Sequence, residues 1–229
     1  MQIFLVSCGY MSGMCGRYLL TMTREVLERF LAISDADQTA PNVDIRPTDS
    51  IVVIEQKEDQ RKFEVARWGL IPEWAKDCKI GLKMINARAE GIADKPAFRN
   101  VFRKHRVLIP ANGFYEWKTV EGHKKKQPYK FSLRDDSLFA FAGLISYWHD
   151  DDAEKWMRSA SIITCDANAL VAEIHDRMPV MLPRQLEARW LDPGTPVELA
   201  ADLLQPYPAS LMRIEPWTFA AAGPITDSA

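Results

Sequence analysis

Seven short runs rich in apolar and aromatic residues, at 51–54, 63–68, 107–109, 114–117, 129–133, 138–145 and 162–164, follow one another with turn residues between them. Several alternate apolar with polar side chains, most cleanly Tyr129, Phe131 and Leu133 against Lys130 and Ser132. A period of two is that of a strand with one face buried. Helical spacing is confined to four segments. After Thr23, a good N-cap, Val26, Leu27, Phe30 and Leu31 predict an amphipathic helix over 24–33, and residues 167–174, 184–191 and 197–204 read as helices too. Strands and helices do not alternate and no repeat is present, which argues against a parallel sheet built from crossover units. Short connections, such as the hairpin segment from Glu121-Gly122 to Pro128, favour antiparallel neighbours instead. The expected class is α+β: a curled, barrel-like, mostly antiparallel sheet with helices packed around it. No Gly/Ser-rich linker divides the chain, so residues 14–229 read as a single domain, preceded by residues 1–13 as a leader or an upstream start.

A chain of 229 residues with 47% hydrophobic and 26% charged residues can build one substantial core. The first apolar run, residues 3–6, is short and has no basic residue ahead of it, so it fits neither a signal peptide nor a membrane span; a cytoplasmic protein is expected. Cys8, Cys15, Cys78 and Cys165 show no C-x-x-C spacing, which predicts reduced thiols and neither a zinc site nor any other cofactor. The 29 basic and 31 acidic residues give a net charge of −2. That balance excludes coating duplex DNA by charge alone but leaves room for a local basic groove. Residues 99–106 and Lys124-Lys125-Lys126 are two basic clusters that suit such a groove or, equally, a solvated face.

Met14 directly precedes Cys15. Loss of residues 1–14 would leave an N-terminal cysteine, whose amine and thiol on adjacent carbons capture an aldehyde as an imine and then as a thiazolidine ring. The α-amine has a reference pKa of about 7.7–8.0, against about 10.4 for lysine, so far more of it is a free nucleophile at neutral pH. The other reading of Cys15 is a buried small hydrophobe. Glu116 lies among Phe114, Tyr115 and Trp117. Aromatic surfaces would desolvate its charged form and raise its pKa towards neutrality, as a proton shuttle needs; the alternative is a strand residue facing solvent. His175, next to Asp176, is either a general acid or a histidine at a helix C-terminus.

Five ordered blocks carry a wider likeness: Met14-Cys15-Gly16-Arg17-Tyr18, Trp68-Gly69-Leu70-Ile71-Pro72-Glu73-Trp74, Ile85-Asn86-Ala87-Arg88-Ala89-Glu90, Arg106 to Pro110 running into Gly113-Phe114-Tyr115-Glu116-Trp117-Lys118, and Ile174-His175-Asp176-Arg177-Met178-Pro179. From Met14 to about Pro183 the chain resembles the SRAP family of abasic-site processing proteins. The resemblance implies that Cys15 is the crosslinking residue, with Asn86, Glu116 and His175 beside it. It implies a monomer acting on abasic sites in single-stranded DNA during the response to DNA damage, nucleoid-associated when bound there, with no membrane partner. In that setting Arg17 and Arg88 are candidate phosphate contacts, and Trp68 and Trp74 offer a stacking surface or wedge, core packing being the other reading of both. Arg177 is a DNA contact or a structural residue. The family also admits an autoproteolytic cysteine peptidase acting on its own leader and lyase activity through the imine, and a non-covalent single-strand binding module is the third possibility. Three departures stand out. Asp44-Ile45-Arg46-Pro47 replaces the family's usual Asn-x-Ala-Pro, residues 214–229 lack its closing segment, and residues 1–13 precede the start.

Overall fold

The computed structural model describes residues 15–21, 26, 41–58 and 60–219. The strands in chain order are β1 (Tyr18–Leu20), β2 (Asn42–Ile45), β3 (Ser50–Lys57), β4 (Gln60–Trp68), β5 (Asn86–Arg88), β6 (Arg106–Ala111), β7 (Gly113–Lys118), β8 (Gln127–Leu133), β9 (Phe139–Asp150), β10 (Lys155–Asp166), β11 (Arg177–Pro179), β12 (Met181–Leu182) and β13 (Met212–Pro216). Among the described residues, short α-helices α1 (Arg99–Lys104), α2 (Arg184–Leu191) and α3 (Val197–Asp202) accompany them.

Five strands in the order β10-β4-β3-β6-β9 close into a barrel through the β9–β10 hairpin. Closure leaves those strands without a free edge along their paired lengths, and fully buried Val53, Ile54, Trp68, Leu108, Phe141, Ile145 and Ile162 come from them. Each large apolar side chain buried this way contributes about 1.5–3 kcal/mol. The expected antiparallel barrel is therefore present, with two parallel pairings added, β4 to β10 and β5 to β10. A second, antiparallel sheet in the order β13-β8-β7-β1-β2 lies against it. Tyr18 meets Trp68 and Phe141 edge-on at 5.4 and 5.8 Å, and Phe114 meets Phe141 at 6.3 Å, so aromatic contacts join sheet to barrel. Gly113 allows the β7–β8 contact there, because a Cβ would stand 2.5 Å from the Phe131 carbonyl oxygen.

The seven apolar runs fall in strands, Leu138 alone lying one residue ahead of β9, and 184–191 and 197–204 are helical over most of their length. Residues 167–174 are not a helix. Asn168 Oδ1 accepts the backbone N–H groups of Leu170 and Val171 while its Nδ2 donates to the Tyr207 carbonyl, and this side-chain anchoring leaves only a 3-10 turn at Val171–Glu173. The helix expected at 24–33 lies outside the described residues apart from helical Val26, as do residues 1–13 with Cys8. Of the basic cluster at 99–106, Arg106 opens β6 and helix α1 takes up residues 99–104. Its buried face is Val101 and Phe102, and the buried Arg106 guanidinium donates to the carbonyls of Phe102, Arg103, Trp190 and Asp192, tying α1 and α2 to β6. Arg106 is thus a structural residue of the core, unavailable to a basic groove.

Near the C-terminal end of β10 the barrel opens. The chain from β11 to β12 passes between β9 and β10, with the Val180 N–H donating to Ile163 O and the Ala142 N–H to Val180 O. On the other edge β5 pairs with Ile162, Ile163 and Thr164. The end of β10 is thereby flanked by the two strands that carry the Asn86 and His175 blocks.

Candidate active site

Cys15 precedes β1, and the Arg17 carbonyl accepts the Tyr115 N–H at 3.0 Å, continuing the antiparallel pairing with β7 and drawing Glu116 alongside Cys15. Two side chains then hold the backbone of Cys15. Its N–H donates to the Glu116 carboxyl, and its carbonyl accepts from Asn86 Nδ2 at 3.2 Å. Asn86 therefore lies beside Cys15, its amide on the carbonyl of that residue. The thiol is 1% exposed and makes a weak contact to the Arg17 carbonyl at 3.8 Å. Burial, and the Glu116 carboxyl beside it, hold its pKa well above the ordinary thiol value.

Glu116 is buried, so the solvent-facing alternative does not hold. Desolvation first, and then the field of Asp176, push its pKa up to about 8, although the Cys15 N–H partly offsets them. Its Oε1 has no hydrogen-bond partner among the described residues. A buried carboxyl with an unsatisfied oxygen is costly, and such groups concentrate where proton transfer is required.

His175 follows the 3-10 turn, so the helix C-terminus of its alternative reading is absent. Its Nδ1 accepts the Arg177 N–H at 3.0 Å and lies 3.0 Å from Asp176 Oδ1. Accepting that bond leaves the neutral ring's proton on Nε2, while pairing with Asp176 requires a proton on Nδ1. The Asp176 carboxylate is 86% exposed, so the backbone donor governs the neutral ring. The charge of Asp176 reaches Glu116 and raises its pKa, which links this turn to the carboxyl.

The candidate DNA contacts fare differently. Trp74 is 61% exposed, presented by a loop whose entry needs glycine: Gly69 has φ of 123° and a Cβ there would stand 2.6 Å from Gly81 O. Arg88 is exposed on β5, two residues from Asn86 and therefore on the same face. Arg17 stacks on Phe219 at 4.7 Å and Trp117 at 5.4 Å, with its Nε 3.4 Å from Asp44 Oδ1. Trp68 has no exposed face to offer a base, because it is fully buried with its indole N–H donating to the Ile85 carbonyl at 2.8 Å; it belongs to the core. Arg177 is also structural. It makes a bidentate pair with Glu90 at 2.8 Å, reaches Asp166 at 2.6 Å and donates to the Thr164 carbonyl, linking the segment after β5, the end of β10 and the start of β11. Glu90 and Asp166 had no assigned role in the sequence, although a carboxylate closing one of the five blocks and an arginine in another was the available signal. The phenol of Tyr18, buried and without a hydrogen-bond partner among the described residues, is a further polar group whose charged form burial opposes first and the Cys15 thiolate second.

Among the described residues no cluster of His, Cys, Asp or Glu is arranged to hold a metal ion, and no helix is long and apolar enough to cross a membrane. Comparison with known proteins agrees with the geometry. The chain is 41% identical over 208 residues, 87% of its length and 90% of the relative's, to the abasic site processing protein YoqW of Bacillus subtilis (strain 168). It is 29% identical over 230 residues to the abasic site processing protein HMCES of Mus musculus, covering 79% of this chain and 65% of that one. A crystal structure of a protein from Bordetella bronchiseptica superimposes with a TM-score of 0.78 at 26% identity, covering 90% of this chain and all of the other. With residues 14–219 matching the profile described as SOS response associated peptidase, the chain belongs to the SRAP family.

Proposed function

We propose that this protein processes abasic sites in single-stranded DNA by covalent capture on Cys15, acting as a monomer whose working form begins at that residue. The observation that carries the reading is the grip on Cys15: Glu116 at its nitrogen and Asn86 at its carbonyl oxygen. In the working form that nitrogen is the α-amine, which attacks C1′ of the ring-opened sugar to give a carbinolamine. As the sugar opens, His175 passes its Nε2 proton to the ring oxygen and recovers the proton of the anomeric hydroxyl, so its ring ends as it began. Glu116, with a pKa near 8, is mostly protonated at neutral pH and hands a proton to the departing hydroxyl, so water leaves and the imine forms. The resulting carboxylate then takes the thiol proton, which the thiol otherwise retains because of its raised pKa. The sulfur bonds to the carbon of the protonated imine, whose π electrons move to nitrogen, closing the thiazolidine and leaving Glu116 protonated as it began. Overall one water is lost. Closure removes the imine before it can drive strand cleavage, and lyase activity is what remains when closure fails. Arg17 and Arg88 hold flanking phosphates, and Trp74 stacks on a base where an opposite strand would otherwise sit.

Mass spectrometry of protein beginning at Cys15, mixed with an abasic oligonucleotide, tests this. The expected species is protein plus strand less one water, stable to heat. No adduct, or equal crosslinking by a chain that keeps Met1, would overturn the mechanism. The second reading, self-cleavage of the leader, is favoured by the same contacts, since the thiol lies one peptide bond from the Met14 carbonyl and Glu116 adjoins the leaving nitrogen. Attack there would give a thioester that water hydrolyses, releasing the α-amine. A Glu116→Gln chain that keeps residues 1–14 while the parent loses them would support it.

A further inference from the structure

We propose that Asp44 is a built-in competitor for the strand phosphate at Arg17, lowering retention on undamaged single strands; the inference rests on the reading of Arg17 as a phosphate contact. One carboxylate sits between two guanidiniums. Asp44 Oδ1 is 3.4 Å from Arg17 Nε, and its Oδ2 accepts from Arg46 Nε at 3.0 Å and from Arg46 Nη2. Two oxygen acceptors carrying one negative charge are what a phosphodiester would offer the same donors. The carboxylate is held in place. Asp44 lies on β2, its N–H donates to Asn42 Oδ1 at 2.8 Å, and the neighbouring Val43 carbonyl accepts the Tyr115 hydroxyl at 2.9 Å. Tyr115 adjoins Glu116, so the anion is fastened to the strand that carries the proton shuttle. Arg17 is equally confined, lying over Phe219 and Trp117 two residues from Cys15.

A phosphate arriving at Arg17 must displace Asp44 or accept a like charge a few ångströms away, and either lowers the gain from binding. At a lesion the loss matters little, because a covalent bond retains the strand. On undamaged DNA the weakened contact frees the protein. Asp44 thereby widens the difference in residence between damaged and intact strands. The opposite arrangement, in which Asp44 orients Arg17 for the phosphate, predicts the opposite sign.

The experiment measures binding of labelled undamaged single strand to parent, Asp44→Asn, Arg17→Gln and the double variant across about 50–200 mM salt, with melting curves to confirm folding. Asp44→Asn should bind about 3–10-fold tighter at low salt, with the difference closing as salt rises. The salt slope should steepen by up to about 0.7 for the recovered phosphate contact. In the Arg17→Gln background the gain should vanish, as a double-mutant cycle would report. Unchanged or weaker binding by Asp44→Asn, or a gain that persists without Arg17, overturns the proposal. Neutral Arg17→Gln with crosslinking intact also overturns it while leaving the capture reading standing. Failure of the parent to crosslink abasic DNA sinks the capture reading, and the undamaged-strand comparison still decides the role of Asp44.

Discussion

Two clusters of ionisable groups lie at the opening of the same barrel, and they are built on opposite terms. At Cys15, a buried carboxyl and a buried thiol lie side by side, with no cation among the described residues bonded to the carboxyl, and both groups are pushed towards their neutral forms. At Arg177, one largely buried guanidinium is bonded by two carboxylates and a backbone carbonyl, and Glu90 is drawn below the usual carboxylate range by that arginine. The second cluster is what structural stability favours: charge matched to charge, with Nη1 and Nη2 of the guanidinium bonded and Nε alone without a partner among the described residues. The first is what proton transfer near neutral pH favours, at some expense in stability. Burial by itself therefore separates neither role; the presence or absence of a matched partner does.

The most severe way to break this contrast is to remove the thiol. Cys15→Ala in protein beginning at residue 15 should form no durable adduct yet still yield an imine that borohydride traps, because the α-amine remains. A heat-stable adduct formed without reduction would show that sulfur is not the lock.

Glu116→Gln should slow crosslinking by about 10²–10⁴-fold while leaving strand affinity largely intact. The same variant tests the pKa directly. With the folded pKa near 8 and the ordinary carboxyl value at 4.5, the folded protein binds the extra proton between those limits, so stability falls as pH rises through that window. Replacing the carboxyl should remove that decline, which amounts to a few kcal/mol at most. Urea midpoints at pH 5 and pH 8 check it, and an unchanged decline would assign the alkaline sensitivity elsewhere.

Arg177→Met should lower stability by about 1–3 kcal/mol, since it deprives three acceptors of their donor, two of which remain reachable by water. Glu90→Gln probes the other sign. A depressed carboxyl contributes above its unfolded pKa and loses that contribution as the medium is acidified, so this variant should flatten the acid limb and leave the alkaline one alone. Denaturation midpoints at pH 3 and pH 6 measure both variants, and an acid limb that survives Glu90→Gln would break the contrast between the clusters.

The smallest expected effect is at Arg88. Arg88→Ala should reduce the salt slope of single-strand binding by about 0.7 or less, one phosphate's worth, with no loss of fold. A slope that does not move would remove Arg88 from the binding surface.

Much of the architecture was legible because strand periodicity is local. Tyr129 to Leu133 announces a half-buried strand whatever surrounds it, and the turn residues between runs already favoured antiparallel neighbours. Asn168 shows where local reading fails: its apolar successors have helical spacing, but an anchor to Tyr207, 39 residues away, holds them as a turn. At the site, the residue types in the five blocks pointed to Cys15, Asn86, Glu116 and His175. Their mutual arrangement was not legible, since Asn86 and Cys15 lie 71 residues apart and only parallel pairing to β10 brings that asparagine to the cysteine carbonyl.

From the chain alone came the strand-rich class, the small set of chemically capable residues, and the expectation that aromatic neighbours would raise the pKa of Glu116. Tertiary structure decided the rest. Trp68 went to the core and Trp74 to the surface, Arg177 to Glu90 and Asp166, Arg106 to helix carbonyls, and Arg17 to Asp44. The reason is physical: propensity and periodicity act between neighbours in sequence, whereas burial and charge pairing depend on which distant groups the closed barrel and its companion sheet bring within a few ångströms.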